Sequence, residues 1–513
     1  MGMASKQHQH SSSSLFTRFL KGVEKAGNAL PHPAIIFFTL CIGVLIASFI
    51  GEAFSFNAIH PIKKEVISTV NLLSIKGLHF LLTDMVKSFV NFAPLGSVLV
   101  AMLGFSLAEK SGLLSTLIRV VVIKAPQALI IPAIFLAGIL SHTAGDIGYV
   151  LLIPLAAMTF HSLGMHPLAG LAVSFAGVSG GFAANFLLST ADPLLGGLSQ
   201  EAARIIDPNF IVTPVANWYF MASSSLLIIL LGTLIAKKIT IPFLGKYEGD
   251  STSQKIEKLN TLEKKGLLYA GLFLLACITF ILLGTVPEQG FLREAGTFDL
   301  FHSPLLKGVV VVIFFVAAIA GIIFGYTTKT FKNANDIIVS MQDAMASLSS
   351  YIVLVFFASQ FIAFFNASNM GLVVAVHGSE YLKNLGLGAV PLMISFILLT
   401  VVLDLFMGSA SAKWALMAPI FVPMFMLLGY SPALTQASYR IGDSVVNIIS
   451  PLMSYFPLIM TFVNKYNPKA RVGTLIALML PYSLLFLIFW SLMLFIWMTF
   501  NWNLGPGAPL WLK

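Results

Sequence analysis

The sequence predicts an all-α polytopic membrane protein of about nine transmembrane helices plus two oppositely oriented re-entrant hairpins, the inverted-repeat plan of a secondary transporter. Three observations predict it. Of 513 residues, 57% are hydrophobic and only 10% charged, whereas a soluble domain is about a quarter charged. Two apolar stretches are interrupted at their centres by small and polar residues, leaving pieces too short to cross comfortably alone. The two halves of the chain also share a gapless internal match. At roughly 20 apolar residues per crossing, there is room for about nine to twelve spans. This composition excludes a soluble enzyme, a disordered scaffold and a nucleic-acid binder. The long runs also lack the period-two alternation of an outer-membrane barrel.

Residues 1–32 form a polar N-terminal tail; Met1 to Ser14 has no apolar core, so it is not a cleavable signal peptide and reads as cytoplasmic. The first membrane half, 33–236, opens with the run Pro33–Phe54, followed by a mixed stretch to Lys87 and a second run at Phe89–Ala108. Gly112–Ile123 carries Arg119 and is short, which suits a tilted or interfacial helix. The first hairpin, about 127–163, is centred on Ser141-His142-Thr143-Ala144-Gly145-Asp146, and Leu168–Thr190 and Val215–Ala236 follow as fuller spans. A linker, 237–265, carries seven Lys and four acids. The second half, 266–513, has spans near Gly266–Val286, Leu305–Tyr326 and Ala346–Phe365. Its hairpin, about 388–428, is centred on Gly408–Trp414; Pro432–Met460 and Val472–Phe500 complete the chain. Cys41 and Cys277 both lie in apolar runs and imply neither a disulfide framework nor a metal site.

The net charge of +9 fits the excess of Lys and Arg on the cytoplasmic side of a membrane protein. With the N-terminus inside and the interrupted stretches returning to the side they enter from, inside segments hold 19 Lys and Arg and outside segments 9. Lys413 and Arg440 stay within the membrane. The first hairpin then opens to the cytoplasm and the second to the outside. Sliding the sequence by 265 residues aligns 149–179 with 414–444 at nine identities in 31 positions. These include Pro154/Pro419, Pro167/Pro432, Gly164/Gly429 and Gly177/Gly442. Shared Pro and Gly at a fixed offset make chance similarity of apolar segments a weak explanation. Interrupted helices of inverted repeats meet near the midplane and build substrate and ion sites.

Four acids fall inside predicted membrane segments: Asp146, Asp192, Asp404 and Asp443. An acid there costs several kcal/mol and faces a cavity or a partner. Asp443 follows Arg440 by three residues, so both share one helix face. Two readings stay open: a self-neutralising structural pair, or a coupling site in which Asp443 binds a proton or Na⁺ while Arg440 attracts a substrate carboxylate. Asp192, after Asn185 and Ser189, is either a second coupling acid or a span-ending cap near the outer surface. Asp146, at the first hairpin tip, is a third coupling candidate or a helix cap; Asp404 has no assigned role.

Ser409 and Ser411 offer oxygens to a substrate or a hard cation. Trp414 offers a flat face to an aromatic ring, or belongs to an interfacial belt. Lys413 meets a carboxylate or snorkels. Asn185 and Asn447 are polar positions after each hairpin, suited to substrate or to interhelical hydrogen bonds. The candidate Na⁺ site is near Asp443, Ser444 and Asn447. Gly177, Gly181, Gly442, Pro432 and Pro451 are the candidate hinges and close-packing points. Gly177-Val178-Ser179-Gly180-Gly181 fits the G-x-S-x-G of serine hydrolases, with His142 or His161 as base, so an intramembrane serine protease is the enzymatic alternative. A passive channel for small organic anions is the other. No P-loop, H-E-x-x-H or nucleotide fingerprint is present.

Several longer motifs occur in one order along nearly the whole chain: 27–33 (GNALPHP), 91–96 (NFAPLG), 176–182 (AGVSGGF), 217–222 (NWYFMA), 408–414 (GSASAKW), 418–424 (APIFVPM) and 440–444 (RIGDS). On these the chain resembles the AbgT family, the p-aminobenzoyl-glutamate transporters. The resemblance implies a homodimer in the bacterial inner membrane and cation-coupled transport of p-aminobenzoyl-glutamate or related aromatic acids. No cofactor beyond the coupling ion is implied. The serine-rich hairpin and the Arg440–Asp443 segment look closer to the branch similar to sulfonamide antimetabolite exporters. In the family the positions matching Arg440 and Asp443 belong to the transport pathway, and the one matching Asp192 is tied to energy coupling. Position 404 departs from the family's asparagine, which withholds an ion-ligand role there.

Overall fold

The computed structural model describes residues 31–59, 64–144, 147–247, 259–300 and 303–512. Most of the N-terminal tail, the middle of the linker and Asp146 lie outside the described residues. The first half begins with α1 (Pro33–Ala53), opened by a proline in its first turn and by His32 Nδ1 accepting from the Ala34 N–H at 3.2 Å. A short antiparallel pair, β1 (Asn57–Ile59) and β2 (Val66–Ser68), leads to α2 (Ile75–Val90) and α3 (Ala93–Lys110). Then come α4 (Leu113–Ile123), α5 (Ile130–Leu140), α6 (Ile153–Ser162), α7 (Pro167–Phe175), α8 (Ala191–Ala203) and α9 (Trp218–Ile235). The second half comprises α10 (Thr261–Thr285), α11 (Val309–Thr328), α12 (Ala334–Ser347), α13 (Ser349–Ala367) and α14 (Met370–Asn384). It continues with α15 (Ala389–Phe406), α16 (Ala410–Leu427), α17 (Pro432–Asn447), α18 (Phe456–Tyr466) and α19 (Val472–Thr499).

Among the described residues, nine helices or continuous helix pairs are long and apolar enough to cross a membrane. They are not the nine that the apolar runs suggest. Both arms of the second hairpin, α15 and α16, reach 18 residues. Conversely, Leu168–Thr190 and Pro432–Met460 are not continuous spans. The first winds through a π turn at Ala176–Gly180, loses its helix over 181–190 and resumes as α8. The second stops at Asn447 and resumes as α18. Pro451 sits in that break, where a residue without an N–H cannot extend the ladder. Among the described residues the one sharply bent pair lies ahead of the expected tip: α4 and the helical stretch Gln127–Thr143 meet at 116°, turning at 124–126 and not at 141–146.

The internal match has a structural counterpart. Gly164 (φ 73°) and Gly429 (φ 90°) both take the left-handed backbone that glycine adopts without a Cβ penalty. Pro167 and Pro432 each open the next helix, capped by His166 and Ser431. The two halves also pack against each other through long helices, α1 on α13 and α11 on α3. Glycines permit the closest approach: a Cβ on Gly104 would lie 2.6 Å from Phe314 Cα, and one on Gly321 2.5 Å from the Ala108 nitrogen. Helices in lipid associate through small residues of this kind.

The connecting segments segregate to two sides. On one, Lys110 pairs with Asp343 at 2.9 Å, Arg119 pairs with Glu263, and Tyr247 packs edge-on against His161 and His166. On the other, the β-hairpin bonds the start of α14, Asn369 donating to the Ser68 carbonyl at 2.9 Å. There the C-terminal strap donates from the Leu512 N–H to the Gly429 carbonyl at 2.8 Å and accepts from the Ser431 N–H at Leu510. These two groups are the ones the charge count separates.

Candidate functional site

The two broken helices, α7–α8 and α17–α18, meet where α16 packs on α8 and α17. Their breaks expose backbone groups that ordinary helices satisfy internally, so side chains must supply partners. Asp192 lies in the first turn of α8. Its Oδ2 accepts from Asn185 Nδ2 at 2.7 Å, the Ser189 N–H at 2.6 Å and the Ser189 hydroxyl at 2.9 Å. Its other oxygen, Oδ1, is 2.7 Å from Arg440 Nη2. Both residues are buried, so Asp192 is not a cap at the outer surface. The Arg440 guanidinium also donates to the Ala183 carbonyl at 3.4 Å, inside the first break.

The same-face pairing of Arg440 with Asp443 is corrected. Residues three apart on a helix share a face, but the nearer carboxylate comes from the other half of the molecule. Asp443 turns instead to hairpin two: its Oδ1 lies 2.8 Å from Lys413 Nζ and 3.1 Å from the Tyr439 hydroxyl. Lys413 forms a second ion pair with Asp404 on α15. Lys413 therefore meets carboxylates and does not snorkel. Asp404, left without a role by sequence reasoning, is a full member of the cluster. The signal for it was present: a lone Lys nine residues after a lone Asp in an otherwise uncharged hairpin.

The Trp414 ring is fully buried, which removes the interfacial-belt reading. It packs against the Tyr439 ring with centres 4.5 Å apart and planes tilted by 32°, and its Nε1 donates to the Ser199 hydroxyl at 3.0 Å. Ser409 caps α16, accepting from the Ala412 N–H at 3.4 Å, and its hydroxyl lies 3.3 Å from that of Ser411. Asn447 ends α17 and is buried. The suggested Na⁺ trio is not assembled around one point: Asp443 faces Lys413, while the Ser444 hydroxyl accepts from the Ala183 N–H at 3.0 Å. Nor does Ser179 face a base; it is fully buried, and the Tyr149 hydroxyl donates to it at 3.4 Å.

The hinge glycines pack tightly. A Cβ on Gly442 would meet the Ile397 carbonyl oxygen at 2.7 Å, one on Gly181 the Gly177 carbonyl at 2.5 Å, and one on Gly177 the Phe135 Cα at 3.2 Å. The charged cluster is sealed in this conformation. A separate cleft of about 340 Å³ lies on the side of the C-terminal strap, lined by Asp207, Phe210, Lys307, Ser431 and Pro506.

Comparison with known proteins agrees with this architecture. The model of the AbgT putative transporter family matches residues 18–512. The p-aminobenzoyl-glutamate transport protein of Escherichia coli K12 is 38% identical over 496 residues, 97% of each chain. Among solved structures, the YdaH transporter of Alcanivorax borkumensis is 42% identical with a TM-score of 0.89, covering 93% of this chain and 100% of that one. MtrF of Neisseria gonorrhoeae, presented as illuminating a class of antimetabolite efflux pumps, is 47% identical with a TM-score of 0.90, covering 96% and 100%.

Proposed function

This chain belongs to the AbgT putative transporter family, and from that premise we propose that it is a cation-coupled secondary transporter of p-aminobenzoyl-glutamate or related aromatic acids, and an exporter of sulfonamide antimetabolites. It is a multi-pass membrane protein whose relatives are named as transporters; in our reading it is not an enzyme. It works as a homodimer in the bacterial inner membrane with its N-terminus in the cytoplasm. Collapse of Ser179 onto Tyr149 speaks against a serine nucleophile.

One observation carries the reading. Arg440 of the second repeat is held by Asp192 of the first at 2.7 Å, and the adjacent Tyr439 packs against the buried Trp414. A substrate carboxylate arriving at Arg440 competes with Asp192, and the freed Asp192 charge then needs another partner. Substrate binding is thereby linked to movement of one repeat against the other. In this proposal Trp414 supplies the face for the aryl ring once the repeats part, Ser409, Ser411, Asn185 and Asn447 supply polar contacts to the substrate, and Asp443 serves the coupling ion, a proton or Na⁺.

The test is flux of labelled p-aminobenzoyl-glutamate and of a labelled sulfonamide in proteoliposomes, with pH and Na⁺ gradients imposed separately. Uphill movement that stops when the gradient collapses is expected. Flux that only ever equilibrates identifies a passive channel instead.

A further inference from the structure

Among the described residues, five charged side chains are buried: Arg440 and Lys413 against Asp192, Asp404 and Asp443. Arg440 and Asp192 neutralise each other. One ammonium is left for two carboxylates, and an unbalanced charge within the bilayer is costly. The Asp404–Lys413–Asp443 cluster therefore has a place for one more positive charge.

The surrounding atoms indicate which kind. A hard cation needs several oxygen lone pairs converging on it. Here the space between the carboxylates is filled by the Lys413 ammonium, and Asp443 Oδ1 is approached by that ammonium and by the Tyr439 hydroxyl. Among the described residues, no group of three or more His, Cys, Asp or Glu is gathered to hold a metal ion. The Tyr439 hydroxyl also lies 2.6 Å from the Ala410 carbonyl oxygen, which can only accept. A hydroxyl has a single hydrogen. Once it is given to Ala410, a phenol lone pair faces Asp443, and a proton on the carboxyl completes the contact.

The geometry points to a one-proton site in which Asp443 carries the proton, Tyr439 receives its hydrogen bond and Lys413 balances Asp404. The inference rests on the transport function above and gives its coupling ion an address. Loaded, the cluster is neutral and can be sealed from water; unloaded, it keeps one uncompensated carboxylate. The internal offset puts Ile139, Gly148 and Val178 where Asp404, Lys413 and Asp443 stand, so the site belongs to the second hairpin alone, one per chain. Other titratable groups on the packed elements are engaged or remote. Asp192 and Glu201 on α8 pair with Arg440 and Arg204. Tyr351 on α13 bonds the Pro94 carbonyl, and Tyr482 on α19 bonds Thr240. His377, Glu380, Tyr381 and Lys383 on α14 are exposed.

Infrared spectroscopy of the purified full chain at neutral pH, without substrate, tests the site. The wild type is expected to show a protonated-carboxyl C=O band. Asp443→Asn and Asp404→Asn each leave one ammonium for one carboxylate and should lose it; Lys413→Gln should raise it about twofold. Tyr439→Phe, which keeps the fold's apolar volume, should shift the band to higher frequency. In proteoliposomes, proton uptake per substrate moved should fall to the protein-free level in Asp404→Asn. Absence of the band from the wild type, its persistence in Asp443→Asn, or transport that runs on a Na⁺ gradient without proton movement overturns the site. A band that behaves as expected in a protein that moves no substrate overturns the transport function instead.

Discussion

Arg440 on α17 holds Asp192 on α8 at 2.7 Å across the junction of the two repeats. Neither residue is on the other's helix, so the bond ties together two elements that the proposed transport cycle separates. Removing one partner of a buried pair costs about 3–5 kcal/mol because the other charge is left uncompensated. Asp192 keeps its three donors from Asn185 and Ser189, which places Arg440→Ala at the lower end, about 3 kcal/mol by the same rule. The double variant Arg440→Met/Asp192→Leu should recover most of that loss in thermal unfolding and still move no substrate. Recovery of transport along with stability would make the pair structural.

Gly442 tests the packing of α17 on α15. Its missing Cβ would sit 2.7 Å from the Ile397 carbonyl oxygen, a backbone atom that cannot step aside. Gly442→Ala should destabilise by about 1–3 kcal/mol, the usual cost of overpacking. Gly43→Ala, where no atom lies within 4 Å of the added carbon, should be neutral or stabilising, since helix-interior alanine is favoured over glycine by about 1 kcal/mol. Unfolding midpoints of the two variants in detergent, measured side by side, decide it; equal midpoints would refute the close approach.

Much of this fold is legible in the residue pattern, and its failures have physical causes. Apolar runs of 18 residues or more announce α1, α11 and α19 because nothing but the bilayer requires such length. The breaks at 181–190 and 448–455 were hidden because the residues there remain mostly apolar; hydropathy records burial, not helix continuity. Each site residue could be picked as a costly polar group in the membrane, but its partner could not. Arg440 and Asp443 are neighbours on one helix, yet Arg440 answers to Asp192, 248 positions earlier in the numbering, and Asp443 to Lys413. Helical spacing is local, and an ion pair forms with whichever charge the tertiary packing brings nearest.

His166 gives the fold a pH dependence outside the spans. Its Nδ1 accepts from the Leu168 N–H at 3.2 Å, capping α7, and burial pushes the imidazole below its ordinary value. Only the neutral ring can accept there. A base whose folded-state value is depressed contributes stability above its unfolded value of about 6.5 and loses that contribution as pH falls through the folded value. A cap is worth about 0.5–2 kcal/mol. Wild-type stability should therefore drop by that order on acidification relative to His166→Asn, which retains a capping oxygen and does not titrate. Parallel curves for the two proteins between neutral and acid pH would show that His166 makes no contribution.

The last prediction concerns which side faces the cytoplasm. Contacts group the ends of α3, α4, α12 and the start of α10 on one side, through Lys110–Asp343 and Arg119–Glu263. The β-hairpin, the start of α14 and the C-terminal strap lie on the other. The first group carries the larger share of Lys and Arg, 19 against 9 over the whole chain, and cationic loops are retained on the cytoplasmic side. In a background with Cys41 and Cys277 replaced, a cysteine at the exposed Lys246 should react with a membrane-impermeant maleimide only after the cells are opened. One at the exposed Glu288, at the far end of α10, should react in intact spheroplasts. The two sites are joined by the single span α10, so they must label oppositely whatever the orientation. Labelling of both from one side would remove α10 as a span, and the reverse pattern would invert the protein, opening the second hairpin and its Asp443 to the cytoplasm instead of the outside.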